Sequence, residues 1–181
     1  PLYSSAASDV YKRQPLETAA KGFAEMAEFL TNGEIKIEVF PGGTLGSPLK
    51  VTETVSNGVA EMGHHWGGYD WGVDKTTVLF GGWTGGLNAE EMQHWIYEGG
   101  GLQTWMDYRM EKFGVVAFPC GQYPREVGLH STKKVKSLAD FDGLKQRTAG
   151  AWAEISAELG VSTVILPCLL YTSPSPRDLS T

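Results

Sequence analysis

Cysteine is almost missing from this chain. Two among 181 residues, Cys120 and Cys168, allow one disulfide at most and no cysteine-built metal cluster. Positive charge is also short. Fifteen Lys and Arg stand against 21 Asp and Glu, for a formal net charge of −6 and a pI near 5.2. No basic run interrupts that balance, so nothing draws the chain to nucleic acid or to an anionic membrane surface. No apolar run approaches the roughly 20 residues of a membrane-crossing helix. Several motifs are missing as well: no glycine-rich fingerprint follows a strand, and no phosphate-loop, nucleophile-elbow or His-x-x-x-His pattern occurs. Nucleotide binding, serine hydrolysis and zinc chemistry therefore lack motif support. What remains is an ordinary globular composition, 41% hydrophobic and 20% charged, long enough for one domain or two small ones.

Both ends read as foreign to the rest. Ser4–Gln14 (SSAASDVYKRQ) and Cys168–Asp178 (CLLYTSPSPRD) correspond to translations of the two adapters of a transposase-based sequencing library. Residues 1–14 and 168–181 are accordingly expected to be adapter-derived and are set aside from fold reasoning, as any fusion scar is. Cys168, Arg13 and Arg177 drop out with them. The biological part, 15–167, remains acidic, and its only cysteine is Cys120.

Within 15–167 the hydrophobic period alternates between helix and strand. Apolar residues at 16, 19, 20, 23, 26, 27 and 30 form a helical stripe, which Thr31-Asn32-Gly33 ends. Ile35, Ile37 and Val39 then alternate with Lys36 and Glu38 as a strand closed by Pro41-Gly42-Gly43. Ser47-Pro48 predicts a helix start, and Val59–Met62 predicts a short strand. Residues 63–87, rich in Trp, Tyr and Gly, read as a loop with large aromatics. Asn88 to Glu91 is a capping box opening a helix, and Gly99-Gly100-Gly101 separates it from a second helix carrying Leu102, Trp105, Met106 and Arg109. Strands are predicted at Val115–Phe118, Glu126–Leu129, Leu144–Arg147 and Val161–Leu166, and a helix at Ala151–Leu159 before Gly160. Alternating helices and strands indicate an α/β domain with parallel strands. Met92, Trp95, Ile96, Trp105 and Met106 read as core or as a subunit face. His64 and His65 are adjacent, so on a strand they point oppositely and do not chelate one ion together.

Arg147 is the strongest candidate for a binding residue. It ends a predicted strand, and Thr148-Ala149-Gly150 leads from it into a helix. Ligands of α/β sheets sit at the carboxyl ends of strands, and a helix amino-terminus favours anions. The planar guanidinium fork matches a carboxylate through two parallel hydrogen bonds, which a lysine cannot reproduce.

Three segments in this order carry a family resemblance: TNGEIKIEVFPGGTLGSPLKVTETVSNGVAEMGHH (31–65), NAEEMQHWIYEGGGLQTW (88–105) and KKVKSLADFDGLKQRTAG (133–150). The chain resembles the DctP-type solute-binding subunits of tripartite ATP-independent periplasmic (TRAP) transporters, nearest the subgroup that binds 2-oxo acids. The resemblance implies part of a two-lobed α/β venus-flytrap fold, with 15–167 an incomplete region spanning parts of both lobes and lacking its first strand. It implies a periplasmic receptor, its export signal lost, that takes a small-molecule carboxylate (a 2-oxo, hydroxy or sugar acid) and delivers it to membrane permease subunits. No cofactor is implied beyond a cation such as sodium bound with the ligand, and a homodimer is an open expectation.

By the same resemblance Arg147 is the carboxylate clamp, and Tyr69 and Trp71 supply rings over the ligand, against the alternative that they pack the core. In 122–131 (QYPREVGLHS) the chain departs from its relatives: Glu126 stands where they carry a glutamine, and Leu129, His130 and Ser131 replace an aromatic run. Glu126 is a candidate contact to a cation or to a ligand hydroxyl, His130 a polar wall, and Arg125 a second anion contact or a surface residue. Two other classes compete. An α/β enzyme acting on a small carboxylate would use His65, His130 or Glu126 as base but lacks a recognisable base–orienter pair. A non-catalytic interaction protein rests on the aromatic content alone. Sequencing the locus by an adapter-free route is expected to replace 1–14 and 168–181 with unrelated residues; recovery of the same ends would overturn the adapter reading.

Overall fold

The computed structural model describes residues 2–8, 15–81, 85–122 and 128–166. They fall into two compact units. The first holds the residues up to His65 with those from Ile165 onward, and the second spans Trp66–Val164.

The first unit is a parallel three-stranded sheet with helices. Strand β1 (Leu2–Ser8) lies in the middle, flanked by β2 (Ile35–Phe40) and β3 (Met62–His64). Residues set aside on sequence grounds thus occupy the central strand position. A ladder of backbone N–H and C=O groups makes no demand on side-chain identity, so an extended segment of almost any composition completes it. Helix α1 (Pro15–Leu30) precedes β2, as the helical stripe predicts. Its end is built by Thr31–Gly33. The Gly33 N–H donates to the Glu28 carbonyl at 2.8 Å, and φ of +82° at Gly33 is the left-handed conformation that closes a helix. In β2, Ile35, Ile37 and Val39 are half-buried while Lys36 and Glu38 face water. The period of two is therefore kept.

Two local expectations shift in this unit. Ser47-Pro48 makes a turn, with the Lys50 N–H on the Ser47 carbonyl at 2.9 Å, and helix α2 (Val51–Ser56) starts three residues later than predicted. Val59 does not join a strand because its N–H returns to the Thr54 carbonyl at 3.1 Å, closing α2. The strand begins only at Met62. Val51 and Ala60, with Leu45 against them, make the small core here.

The second unit begins with residues 66–81, expected to be a loop. They are instead consecutive helical turns: a 3-10 turn at Gly67–Gly72, another at Lys75–Thr77, and helix α3 (Val78–Gly81). Polar closures hold these turns. Asp74 accepts the Thr76 N–H at 2.7 Å, the Thr77 hydroxyl donates to the Gly67 carbonyl at 2.9 Å, and the Trp66 indole donates to the Gly81 carbonyl at 3.0 Å. The capping box at Asn88–Glu91 opens helix α4 (Ala89–Tyr97) as predicted, and α5 (Gly101–Phe113) follows the glycine break. Phe80 stacks on Trp105 and Tyr108 and sits beside Trp95. The Trp95/Ile96/Trp105 stripe is therefore core, with Ile96 buried. Residues 115–118 are not a strand, since among the described residues no strand runs alongside to take their ladder. Half of the strand predicted at 126–129 lies outside the described residues, and 128–129 are not strand. Strands β4 (Lys145–Arg147) and β5 (Ser162–Val164) pair in parallel around α6 (Ala151–Glu158), the last predicted strand being shorter than expected.

The apolar stripe of α1 is not covered among the described residues: Phe23 is 60% exposed, Met26 55% and Leu30 72%, with Phe29 at 79%. A 15–167 polypeptide would keep that face and lose β1, exposing two strand edges at once. We expect it to aggregate or to bind a hydrophobic dye without a cooperative melt; a sharp calorimetric transition would contradict this.

Candidate functional site

The candidate ligand contacts Arg147, Tyr69 and Trp71 lie in the second unit, on the end of β4 and on the Gly67–Gly72 turn. The first piece is the end of β4. Arg147 is half-buried, with Val164 of β5 opposite it, and the next residue's N–H donates to the Val164 carbonyl at 3.1 Å. Register with β5 therefore fixes where the arginine leaves the sheet.

The second piece is the link into α6. Gly150 has φ +63° and ψ −146°, a conformation that costs an L-residue roughly 1–3 kcal/mol. A Cβ here would lie 3.4 Å from both the Gly68 carbonyl oxygen and the Trp66 ring. The positive φ therefore calls for glycine here, where the start of α6 lies against the 66–72 turn. Behind it the Ser156 hydroxyl donates to the Gln146 side chain at 2.9 Å, tying α6 to β4.

The third piece is the turn itself, which carries both aromatic candidates. Tyr69 is half-buried and packs edge-on against Trp66, with centroids 5.3 Å apart and planes at 85°. Trp71 is half-buried too, but polar contacts hold it: its indole N–H donates to Glu154 Oε1 at 3.1 Å, and Lys75 Nζ lies 5.3 Å from the ring centroid. Lys75 also donates to Glu154 Oε2 at 2.8 Å. Those two donors, Lys75 first and Trp71 second, hold the Glu154 carboxyl below its ordinary value.

Between Tyr69 and Trp71 sits Asp70, paired with Arg109 of α5 at 2.6 Å; the two side chains are 6% and 5% exposed. The Arg109 guanidinium also lies 4.1 Å from the Phe113 ring centroid. This pair was not anticipated from sequence, where Arg109 was one position of a helical stripe and Asp70 lay in a presumed loop. Beside it, Tyr108 has its phenol pushed up to about 12, first by burial and then by the neighbouring Asp74 carboxylate.

The other sequence candidates lie elsewhere or outside the described residues. His130 is exposed, and Glu126 and Arg125 lie outside the described residues. His65 belongs to the first unit, where its Nε2 meets the Thr52 hydroxyl at 2.9 Å. Among the described residues no group of three or more His, Cys, Asp or Glu side chains is arranged to hold a metal ion.

Truncating one member of a buried pair strands the other, at a cost of about 3–5 kcal/mol. Arg109→Ala is expected to lower stability by that order, while Asp70→Leu with Arg109→Met recovers much of the loss. Chemical denaturation of the single and double variants checks this, and additive losses would contradict it.

Comparison with known proteins gives this geometry a setting. The sequence model described as bacterial extracellular solute-binding protein, family 7 (DctP) matches residues 6–169. A monocarboxylate 2-oxoacid-binding periplasmic protein from Nostoc sp. is 36% identical over 151 residues, which cover 83% of this chain and 40% of that protein. A TRAP transporter solute-binding protein from Bordetella bronchiseptica, a mixed-occupancy dimer with calcium and picolinate, superposes with a TM-score of 0.86 at 29% identity, covering 92% of this chain and 49% of that one. The TRAP periplasmic solute-binding protein from Pseudoalteromonas atlantica, with sodium and pyruvate, gives 0.86 at 26% identity, covering 98% of this chain and 54% of that one. One from Colwellia psychrerythraea, with calcium and pyruvate, gives 0.84 at 28% identity, covering 91% and 50%. The chain thus spans about half the length of these structural relatives. With its α/β elements and its segment order, it belongs to family 7 of the bacterial extracellular solute-binding proteins, the DctP family.

Proposed function

We propose that this chain is part of an extracytoplasmic receptor that binds a small organic acid and hands it to TRAP permease subunits, catalysing no reaction. The observation that carries the reading is that the α6 amino-terminus, which follows Arg147 by a short link, lies against the turn carrying Tyr69 and Trp71, at Gly150 and Gly68. Arg147 would clamp the carboxylate bidentately, the first N–H groups of α6 would add partial positive charge, and Tyr69 and Trp71 would supply an apolar wall with polar tips. Glu126, His130 and Arg125 would complete the polar lining.

The ligands of the relatives narrow the class. Pyruvate and picolinate share a carboxylate beside a second acceptor, a keto oxygen in one and a ring nitrogen in the other. A 2-oxo acid is therefore the first substrate class to test, with hydroxy and sugar acids next. A sodium or calcium ion accompanying the ligand belongs to the same reading, with Glu126 its candidate contact. So do periplasmic location, an export signal and further sequence outside 15–167, and assembly as a homodimer.

In the full-length receptor, Arg147→Ala is expected to cost on the order of 2–5 kcal/mol of binding, roughly 30- to 5000-fold in affinity for pyruvate, with the fold intact. Arg147→Lys should stay clearly impaired because it keeps the charge and loses the fork. Calorimetric titration decides it: binding by Arg147→Ala within about threefold of wild type, under half of one tenfold step in affinity, would place the anchor elsewhere.

A further inference from the structure

We propose that Glu154 is a positioning residue for ligand binding, setting the orientation of the Trp71 indole and coupling it to the strand end that carries Arg147. The inference rests on the reading of Arg147 and Trp71 as ligand contacts.

Glu154 uses both carboxylate oxygens on the aromatic turn: Oε1 accepts the Trp71 indole N–H at 3.1 Å and Oε2 accepts Lys75 Nζ at 2.8 Å. Lys75 in turn lies 5.3 Å from the Trp71 ring centroid, so the three side chains form a closed set. An indole has one N–H donor, and an acceptor held in place selects among the staggered rotamers of its side chain. Here the acceptor comes from α6, the helix that starts four residues after Arg147. That helix is fixed at both ends of its path: Ser156 holds it to β4 at 2.9 Å, and Gly150 seats it on Gly68. The arginine and the indole are therefore referenced to one rigid element. A rotation of α6 that moves one moves the other.

The set is also solvent-accessible, with the Glu154 side chain 52% and the Lys75 side chain 66% exposed. An exposed pair of this kind contributes little to folding, so its removal is readable as a binding effect.

The test titrates pyruvate calorimetrically into full-length receptors carrying Glu154→Leu, Glu154→Gln, Trp71→Phe, Trp71→Phe with Glu154→Leu, and Arg147→Ala. Glu154→Leu should weaken binding by roughly tenfold, the scale of one lost charge-assisted hydrogen bond. Glu154→Gln, whose amide oxygen still accepts the indole N–H, should recover most of that affinity. In the Trp71→Phe background, Glu154→Leu should have no further effect. Trp71 emission, taken as the difference from Trp71→Phe, should shift to longer wavelength in Glu154→Leu but not in Glu154→Gln. Wild-type affinity in Glu154→Leu alongside lost binding in Arg147→Ala would overturn the role of Glu154 and leave the receptor reading standing. An undiminished effect of Glu154→Leu without Trp71 would overturn it as well. Wild-type affinity in Arg147→Ala would instead remove the pocket reading, and this proposal with it.

Discussion

The second unit depends on one buried ion pair. Asp70 and Arg109 lie 39 residues apart and meet at 2.6 Å with almost no solvent access. The turn that holds Asp70 is short and rich in glycine, and among the described residues the buried apolar side chains of this unit are few: Ile96, Ala153 and Val161. With so little core, a paired charge at low dielectric becomes the strongest local constraint, because opening it leaves two ions out of water. Its position matters as much as its strength. Asp70 stands between Tyr69 and Trp71, so fixing it to α5 fixes both neighbours.

Around that anchor the contacts are mostly directional. Thr77 and Trp66 close the turn on itself, Glu154 reaches it from α6, and Gly150 lies beside Gly68. Directional contacts define geometry better than apolar burial does. The first unit follows a different rule. Its sheet is a ladder of backbone hydrogen bonds with a small core of Val51 and Ala60, while α1 turns Phe23, Met26 and Leu30 outward. The chain spans about half the length of its structural relatives.

Much of the local structure was legible in the sequence because it depends on neighbours along the chain. The capping box at Asn88, the left-handed Gly33, the period of two in Ile35–Val39 and the β4–α6 crossover each need only a few adjacent residues. The family, too, was legible from three short segments in order. Strand placement was less so. Val59 was lost to the closure of α2, and 115–118 to the lack of a neighbouring strand among the described residues, since a ladder needs a second chain segment that periodicity cannot supply.

Composition and local pattern by themselves determined the α/β class, the ends of α1 and the start of α4, the acidic character, and Arg147 at the carboxyl end of a strand. Tertiary structure alone decided that Asp70 finds Arg109, that Trp71 gives its indole N–H to Glu154, and that residues 2–8 lie between β2 and β3. The physical reason is range: caps and periods are set over a few residues. A buried charge finds its partner across 39 positions and an exposed indole its acceptor across 83 only once the elements between them have packed.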